Sequence, residues 1–142
     1  MSDAQHVAAL LERAKESLSG AESEYANQRF HNCANRAYYA CYQAAVAALV
    51  HAGIVPPGSR WGHESVQAQF VGLLINRRHI CSPEHRDTIG RLQHVRGVAD
   101  YQIEIVSEIQ AARNLRRAKS FVAGVRNELR RQHENVPSGI IT

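Results

Sequence analysis

The feature that most constrains the fold is an alanine-rich stretch between residues 34 and 53. Its apolar residues recur every three or four positions, which places them on one side of an α-helix. Alanines on the buried side let neighbouring helices approach closely, and Gly53 is typical of a helix C-terminus. We therefore expect a central helix whose buried residues are Ala34, Ala37, Tyr38, Cys41, Ala45, Ala48, Leu49 and Ala52.

Two helices are predicted to flank this stretch. Ser2 and Gln5 form a possible capping box before an amphipathic N-terminal helix. The stretch 54–62 contains two prolines and two glycines and predicts the longest loop of the chain. The apolar spacing after this loop predicts a third helix that ends near residues 76–79.

The C-terminal half predicts two more helices. Ser82 followed by Pro83 is typical of a helix start, and residues 101–106 alternate apolar and polar in a way that suits an extended connector. A second capping box, at Ser107 and Gln110, predicts the last helix. Its expected inward residues are Ile109, Ala112, Leu115, Ala118, Val122, Val125 and Leu129.

These five helices predict an all-α fold, an up-and-down bundle of about five helices. A length of 142 residues suits one domain. We expect the helical domain to occupy residues 1–134 and residues 135–142 to form a flexible tail.

The charge of the chain is mildly basic, with a formal net charge of +4. Residues 113–131 hold seven basic residues and one acid, Glu128, so the excess is concentrated in the last helix. A solvated helix face is the usual meaning of such a run, and an anionic partner is the alternative.

The three cysteines, Cys33, Cys41 and Cys81, follow no metal-ligand spacing and suit reduced thiols in the cytosol. The N-terminal residues are polar, and no stretch reaches the roughly 18 to 20 apolar residues that a membrane span needs. We therefore expect a cytoplasmic protein without a membrane segment, a metal site or a cofactor.

Four sequence blocks resemble the HEPN domain family, in particular its small stand-alone prokaryotic members. One block is the run Asn-Arg-Ala-Tyr-Tyr-Ala at residues 35–40, and the next is Gly-His-Glu-Ser-Val at residues 62–66. The third is Arg-Gly-Val-Ala-Asp-Tyr at residues 96–101, similar to the family's R-x-x-A-D-Y pattern. The fourth is the apolar pattern of the last helix over residues 112–122.

This resemblance implies a helical bundle that often forms homodimers and is often encoded with a minimal nucleotidyltransferase. Many HEPN proteins are metal-independent endoribonucleases that act as toxins or defence effectors, whereas others only bind RNA or nucleotides. The family's catalytic motif is an arginine followed four to six residues later by a histidine. Such a pair supplies a proton acceptor and a fixed cation beside the phosphate.

In this chain Arg96 stands at the motif arginine, but Asp100 and Tyr101 stand where the histidine is expected. Asp100 can instead orient Arg96 or form an ion pair with it, because four residues separate them on one helix. His63, which begins the third helix, either caps that helix or supplies the missing imidazole if the bundle brings it near Arg96. One literal arginine–histidine match, Arg78 with His85, lies across a turn. It is either a functional pair or the basic rim of a solvated loop.

Candidate ligand-binding residues lie on two helices. Arg36 and Tyr39 share a side of the second helix that suits phosphate binding and base stacking, or else structural packing. Tyr101 is a further candidate. One side of the last helix carries basic residues that could follow a nucleic-acid backbone: Arg116, Lys119, Arg126 and Arg130.

Three functions remain open from the sequence. The first is a dimeric RNA- or nucleotide-binding HEPN module, with a minimal nucleotidyltransferase as partner in a toxin–antitoxin or defence system. The second is a metal-independent endoribonuclease toxin with a non-standard active site. The third is a protein-interaction bundle that binds no nucleic acid.

Overall fold

The computed structural model confirms the predicted all-α bundle. Residues 2–58, 60–101 and 105–134 are described, with residues 98–101 and 133–134 described by their backbone alone. This part of the chain contains five α-helices, a π-helix and a 3₁₀ turn, and no strand. The predicted flexible tail at 135–142 lies outside the described residues, and the domain boundary at residue 134 stays a prediction.

The helices follow one another in the predicted order, and the longest connection lies between the second and third. Their bounds are α1 (Asp3–Ala26), α2 (Phe30–His51), α3 (His63–Gln69), a π-helix (Phe70–Arg77), a 3₁₀ turn (Pro83–His85), α4 (Thr88–Tyr101) and α5 (Glu108–Glu134).

The alanine-rich helix α2 is the centre of the bundle, as its pattern predicts. It contacts α1, α3, α4 and α5, and every residue of the expected stripe is buried except Ala52, which is half-buried. Further small residues on α2 are buried outside that stripe, so neighbours pack on several of its sides. At its C-terminus Gly53 adopts φ 77°, a left-handed conformation that suits glycine and ends the helix as predicted.

Both predicted capping boxes are present. The backbone N–H of Gln5 donates to Ser2 Oγ at 3.2 Å, and the Gln5 side chain accepts from the Ser2 N–H at 2.9 Å. At the start of α5, the N–H of Gln110 donates to Ser107 Oγ at 3.1 Å and the N–H of Ser107 donates to Gln110 Oε1 at 3.0 Å. These bonds satisfy backbone donors that a helix start leaves without a partner.

The third predicted helix is only partly α-helical. After α3 the chain continues as a π-helix, in which the N–H of Arg78 donates to the carbonyl of Leu73, five residues back, at 2.8 Å. Its buried residues Phe70, Leu74 and Ile75 recur at four to five positions. This spacing matches the wider π-helical turn better than the 3.6-residue α-helical turn.

Three local expectations are wrong or shifted. Ser82 does cap a helical turn, with its Oγ accepting from the N–H of Glu84 at 3.3 Å, but that turn is 3₁₀ and α4 begins only at Thr88. The alternation over residues 101–106 predicts a connector that begins at Tyr101, but α4 includes Tyr101. Ile109 is 64% exposed rather than inward, because the buried side of α5 begins at Ala111.

The three cysteines are buried and unpaired with one another, which agrees with reduced thiols. Burial, and to a lesser degree Glu24, raises the pKa of Cys33 to about 11. Burial and then Glu128 raise the pKa of Cys81 to about 11 as well. These thiols therefore stay protonated and unreactive at neutral pH. No described helix is both long and apolar enough to cross a membrane.

Candidate functional site

Arg96 projects from α4 onto the surface of α2, where two aromatic rings and an amide hold it. Its Nε donates to Asn35 Oδ1 at 2.8 Å, and its Nη2 donates to the hydroxyl of Tyr39 at 3.3 Å. The guanidinium carbon lies 5.3 Å from the ring centroid of Tyr38 and 5.2 Å from that of Tyr39. Hydrogen bonds and cation–π contacts together fix a half-buried positive charge at the seam of α2 and α4.

His63, the first residue of α3, faces the same tyrosines. Its Nδ1 is hydrogen-bonded to the hydroxyl of Tyr38, and its ring centroid lies 5.3 Å from that of Tyr38 and 5.2 Å from that of Tyr42. Burial, and then the charge of Arg96, lowers the pKa of His63. Tyr38 therefore bridges His63 and Arg96, which lie 33 positions apart in the sequence.

The helix-capping interpretation of His63 is not what the structure shows. The N-terminus of α3 is closed by Ser65, whose Oγ accepts from the N–H of Gly62 at 3.0 Å and donates to the carbonyl of Gly62 at 3.1 Å. The loop before His63 is held to α2, because the Tyr42 hydroxyl donates to the carbonyl of Trp61 at 3.2 Å. This leaves the imidazole of His63 for the tyrosine cluster.

Two tautomers of His63 give this site two chemistries. Burial raises the pKa of Tyr38, so its phenol keeps its proton at neutral pH and can either donate or accept. If the phenol donates to Nδ1, the other ring nitrogen, Nε2, carries the proton and can donate to a phosphate oxygen. If Nδ1 donates to the phenol, Nε2 is a proton acceptor, as a general base must be.

A polar groove adjoins the position of Arg96 and runs along the outer side of α2 towards α1. Asn35 and Tyr39, which bind Arg96, also line this groove, so the two features are continuous. Arg36 extends across α1 at Gly20, where a Cβ would lie 3.1 Å from its Cδ. The groove has a volume of about 350 Å³ and is lined by Ser17, Asn32, Asn35, Arg36, Tyr39 and Gln43.

The basic residues predicted on α5 lie elsewhere. Lys119 pairs with Glu22 of α1 at 3.2 Å between Nζ and Oε1, and Arg116 is exposed. Arg126 and Arg130 line a separate groove between α5 and the start of α1. The spacing of the four residues predicts a shared side of α5, but none of them lines the groove beside Arg96.

Arg78 and His85, the alternative pair, have separate contacts, and their role as a site stays a prediction. Arg78 donates from Nη1 to the carbonyl of Ala52 at 3.1 Å. His85 is 5% exposed and packs its ring edge-on against Phe121, with centroids 5.2 Å apart. The expectation of a solvated loop is therefore wrong for His85, because its imidazole is covered by α5. The side chains of Asp100 and Tyr101 lie outside the described residues, so the expected Arg96–Asp100 contact stays a prediction.

The comparisons with known proteins agree with this architecture. A family model described as the HEPN domain matches residues 7–128 of the chain. The chain belongs to the HEPN domain family. It is also 28% identical over 126 residues to a protein of Methanocaldococcus jannaschii named "Putative toxin MJ0605", a match that covers 89% of this chain and 90% of that protein.

In this HEPN chain the sequence motifs contain most of the residues around Arg96 and His63, but they do not reveal the role of each residue. The position of Tyr38 on the alanine stripe predicts core packing, which its full burial confirms, but its hydroxyl also binds His63. Asn35 belongs to the block at residues 35–40, but only the structure shows that it accepts from Arg96, and Tyr42 lies outside every block. Among the described residues no group of histidine, cysteine and acidic side chains suits a metal ion.

Proposed function

We propose that this HEPN chain binds RNA, with a phosphate group at Arg96 and His63 and the adjoining nucleotide along the polar groove of α2. The observation that carries the proposal is that one tyrosine, Tyr38, fixes both the arginine and the histidine. A cation held by rings and amides gives up little side-chain freedom on binding a phosphate, which favours affinity. The proposal names the site through which the RNA- or nucleotide-binding module predicted from the sequence would act.

The groove suits a nucleotide by its chemistry and size. Its amides, hydroxyls and guanidinium match the hydrogen-bonding edges of an unpaired base and the oxygens of its sugar. Its volume of about 350 Å³ falls in the range of small-ligand sites. The exposed basic side chains of α5, such as Arg116, add an electrostatic attraction to the RNA phosphates. This attraction depends on salt concentration and not on the RNA sequence.

In this proposal the chain acts as a homodimer and pairs with a minimal nucleotidyltransferase in a toxin–antitoxin or defence system. Membership of the HEPN family and the toxin name of the relative from M. jannaschii support that context. Light scattering of the purified chain tests the dimer, and co-purification with the product of a neighbouring nucleotidyltransferase gene tests the partner.

RNA affinity tests the binding proposal directly. Removing the guanidinium in Arg96→Gln is expected to weaken binding of a single-stranded RNA at least about tenfold, the usual effect of removing a charged hydrogen bond. The slope of log K against log salt concentration should become shallower by about 0.7 for each phosphate that the variant no longer neutralises. Arg77→Gln, which removes an exposed arginine at the end of the π-helix, is the matched control and should leave binding unchanged.

Equal reductions of affinity in Arg96→Gln and Arg77→Gln would contradict the proposal, since they would show that only net charge matters. No RNA affinity of the wild-type chain at any salt concentration would favour the protein-interaction bundle instead.

The second candidate is a metal-independent endoribonuclease, and the lowered pKa of His63 beside Arg96 favours it. Nε2 of the neutral ring would take the proton of an RNA 2′-hydroxyl while the 2′-oxygen attacks the adjacent phosphorus. The P–O5′ bond breaks, the 5′-oxygen takes a proton from water, and the hydroxide left behind takes the proton from Nε2. The strand then ends in a 2′,3′-cyclic phosphate. Arg96 would stabilise the charge that develops on the phosphate oxygens.

Cleavage of a labelled RNA by the purified chain in EDTA tests this second candidate. Tyr38→Phe keeps the ring beneath Arg96 but removes the hydroxyl that orients His63. It should therefore reduce the cleavage rate about tenfold or more, and reduce RNA affinity less than Arg96→Gln does, because Arg96 keeps its own contacts. His63→Ala should remove cleavage, and a His63→Ala protein that cleaves at the wild-type rate would leave binding alone as the function.

A further inference from the structure

We propose that the groove between the start of α1 and the C-terminal half of α5 binds an acidic amphipathic helix of a partner protein. The groove has a volume of about 370 Å³ and combines an apolar wall with two arginines. It shares no residue with the groove beside Arg96, so it does not depend on RNA binding there. Its two main walls are formed by Ala4, Val7 and Leu11 of α1 and by Arg126, Leu129 and Arg130 of α5.

The wall on α1 is apolar and open to an incoming helix. Ala4 is exposed, Ala8 one turn later is exposed as well, and Leu11 is half-buried. Val7 and Leu129 belong to the buried core and close the floor beneath them. Because alanine side chains are short, a further helix can approach this wall closely and bury its own apolar side chains against Leu11.

The walls favour a helix over an extended peptide. Both walls are α-helices, and over residues 7–11 and 126–130 their backbone groups are hydrogen-bonded within those helices. They therefore offer no backbone partners to an extended chain, whereas a helix satisfies its own backbone groups. Ala4 and Leu11 are seven positions apart, so the wall is about 10 Å long and matches about two turns of a bound helix.

The two arginines define the charge of the partner. Arg126 is half-buried and Arg130 is exposed, and they stand four residues apart, where like charges repel each other. Among the residues that the structure describes neither forms an ion pair, whereas Lys119 of the same helix pairs with Glu22 at 3.2 Å. The described lining of the groove contains no acid. Two carboxylates one turn apart on a facing helix would match the spacing of the arginines and remove their repulsion.

An RNA strand would fit this groove less well than an acidic helix does. Its phosphates would satisfy Arg126 and Arg130, but they would also lie against the apolar wall, where Leu11 cannot hydrogen-bond to them. A helix with leucines on one side and glutamates beside them satisfies both walls at once. The groove is therefore complementary to a protein partner rather than to a nucleic acid.

Fluorescence anisotropy with a labelled synthetic peptide tests the proposal. The peptide is a helix of about 15 residues, with leucines spaced three and four positions apart and glutamates beside them. The purified chain is expected to bind it saturably. The same peptide with lysine in place of glutamate, or with alanine in place of leucine, should bind at least about tenfold more weakly.

Two variants of the chain locate the binding. Ala4→Gln places a longer polar side chain in the groove without changing the charge, so it should weaken peptide binding at least about tenfold and leave RNA affinity unchanged. Ala68→Gln, at an exposed position of α3 outside the groove, is its matched control. Arg126→Gln should weaken peptide binding about threefold to fivefold, the effect of one partly exposed ion pair. Its control is Arg116→Gln, an exposed arginine about 15 Å away along α5.

Four results with the peptide would overturn the proposal. They are no saturable binding by the wild type, equal affinity for the lysine peptide, unchanged affinity in Ala4→Gln, and equal reductions in Arg126→Gln and Arg116→Gln. If Arg126→Gln weakened RNA binding as much as Arg96→Gln does while no peptide bound, the groove would belong to RNA, and the proposal would be wrong. Loss of RNA binding by Arg96→Gln with normal peptide binding would separate the two sites.

Discussion

His85 shows how a single glycine decides where a polar ring can lie. The imidazole is almost completely buried and packs against Phe121. Gly124 lies one turn along α5 from Phe121, and a Cβ there would overlap with Nε2 of His85 and approach Cε1 to 3.2 Å. A spacing rule that pairs His85 with Arg78 cannot detect this, because the contact joins residues 39 positions apart.

The burial of His85 predicts that stability falls with acid. Burial lowers the pKa of His85 below its usual 6.5, and the nearby Glu84 opposes this to a lesser degree. The unfolded chain therefore binds a proton at a higher pH than the folded chain does. Stability contributed by the neutral ring is present above pH 6.5 and is lost as the pH falls below it.

Urea unfolding between pH 7.5 and about pH 5 measures this effect. In His85→Gln the slope of unfolding free energy against pH should be smaller than in the wild type, by at most about 1.4 kcal/mol per pH unit. His6→Gln, at an exposed position of α1, should keep the wild-type slope. A His85→Gln slope equal to that of the wild type would show that the ring can be protonated in place.

At the scale of elements, the predictions that succeeded depend on neighbours in the sequence. Capping boxes join residues three apart, and the stripe of α2 repeats within one helix, so Ser107 and Gly53 could be assigned from sequence. The π-helix at Phe70–Arg77 could not, since α- and π-turns contain the same residue types. The prediction that Ile109 points inward was wrong, because apolar periodicity does not show where a helix begins to contact the bundle.

At the scale of the molecule, the candidate site exists only because the bundle joins separate helices. Family resemblance points to Arg96 and His63, but the bridge through Tyr38 requires the packing of α2 against α3 and α4. The excess of basic residues on α5 is visible in the sequence, whereas its division between two sides of that helix is not.

The central position of α2 predicts that the bundle unfolds as one unit. Ala44 is fully buried on α2, and Ala44→Leu would overfill the packing between helices, at a cost of about 1 to 3 kcal/mol. Trp61, the one tryptophan, reports on the loop before α3, whereas far-ultraviolet circular dichroism reports on all helices. Both signals should show the same reduction of stability and share one midpoint. Ala123→Leu, at an exposed position of α5, should leave the midpoint near that of the wild type. Two separate midpoints in Ala44→Leu would contradict a single cooperative domain over residues 1–134.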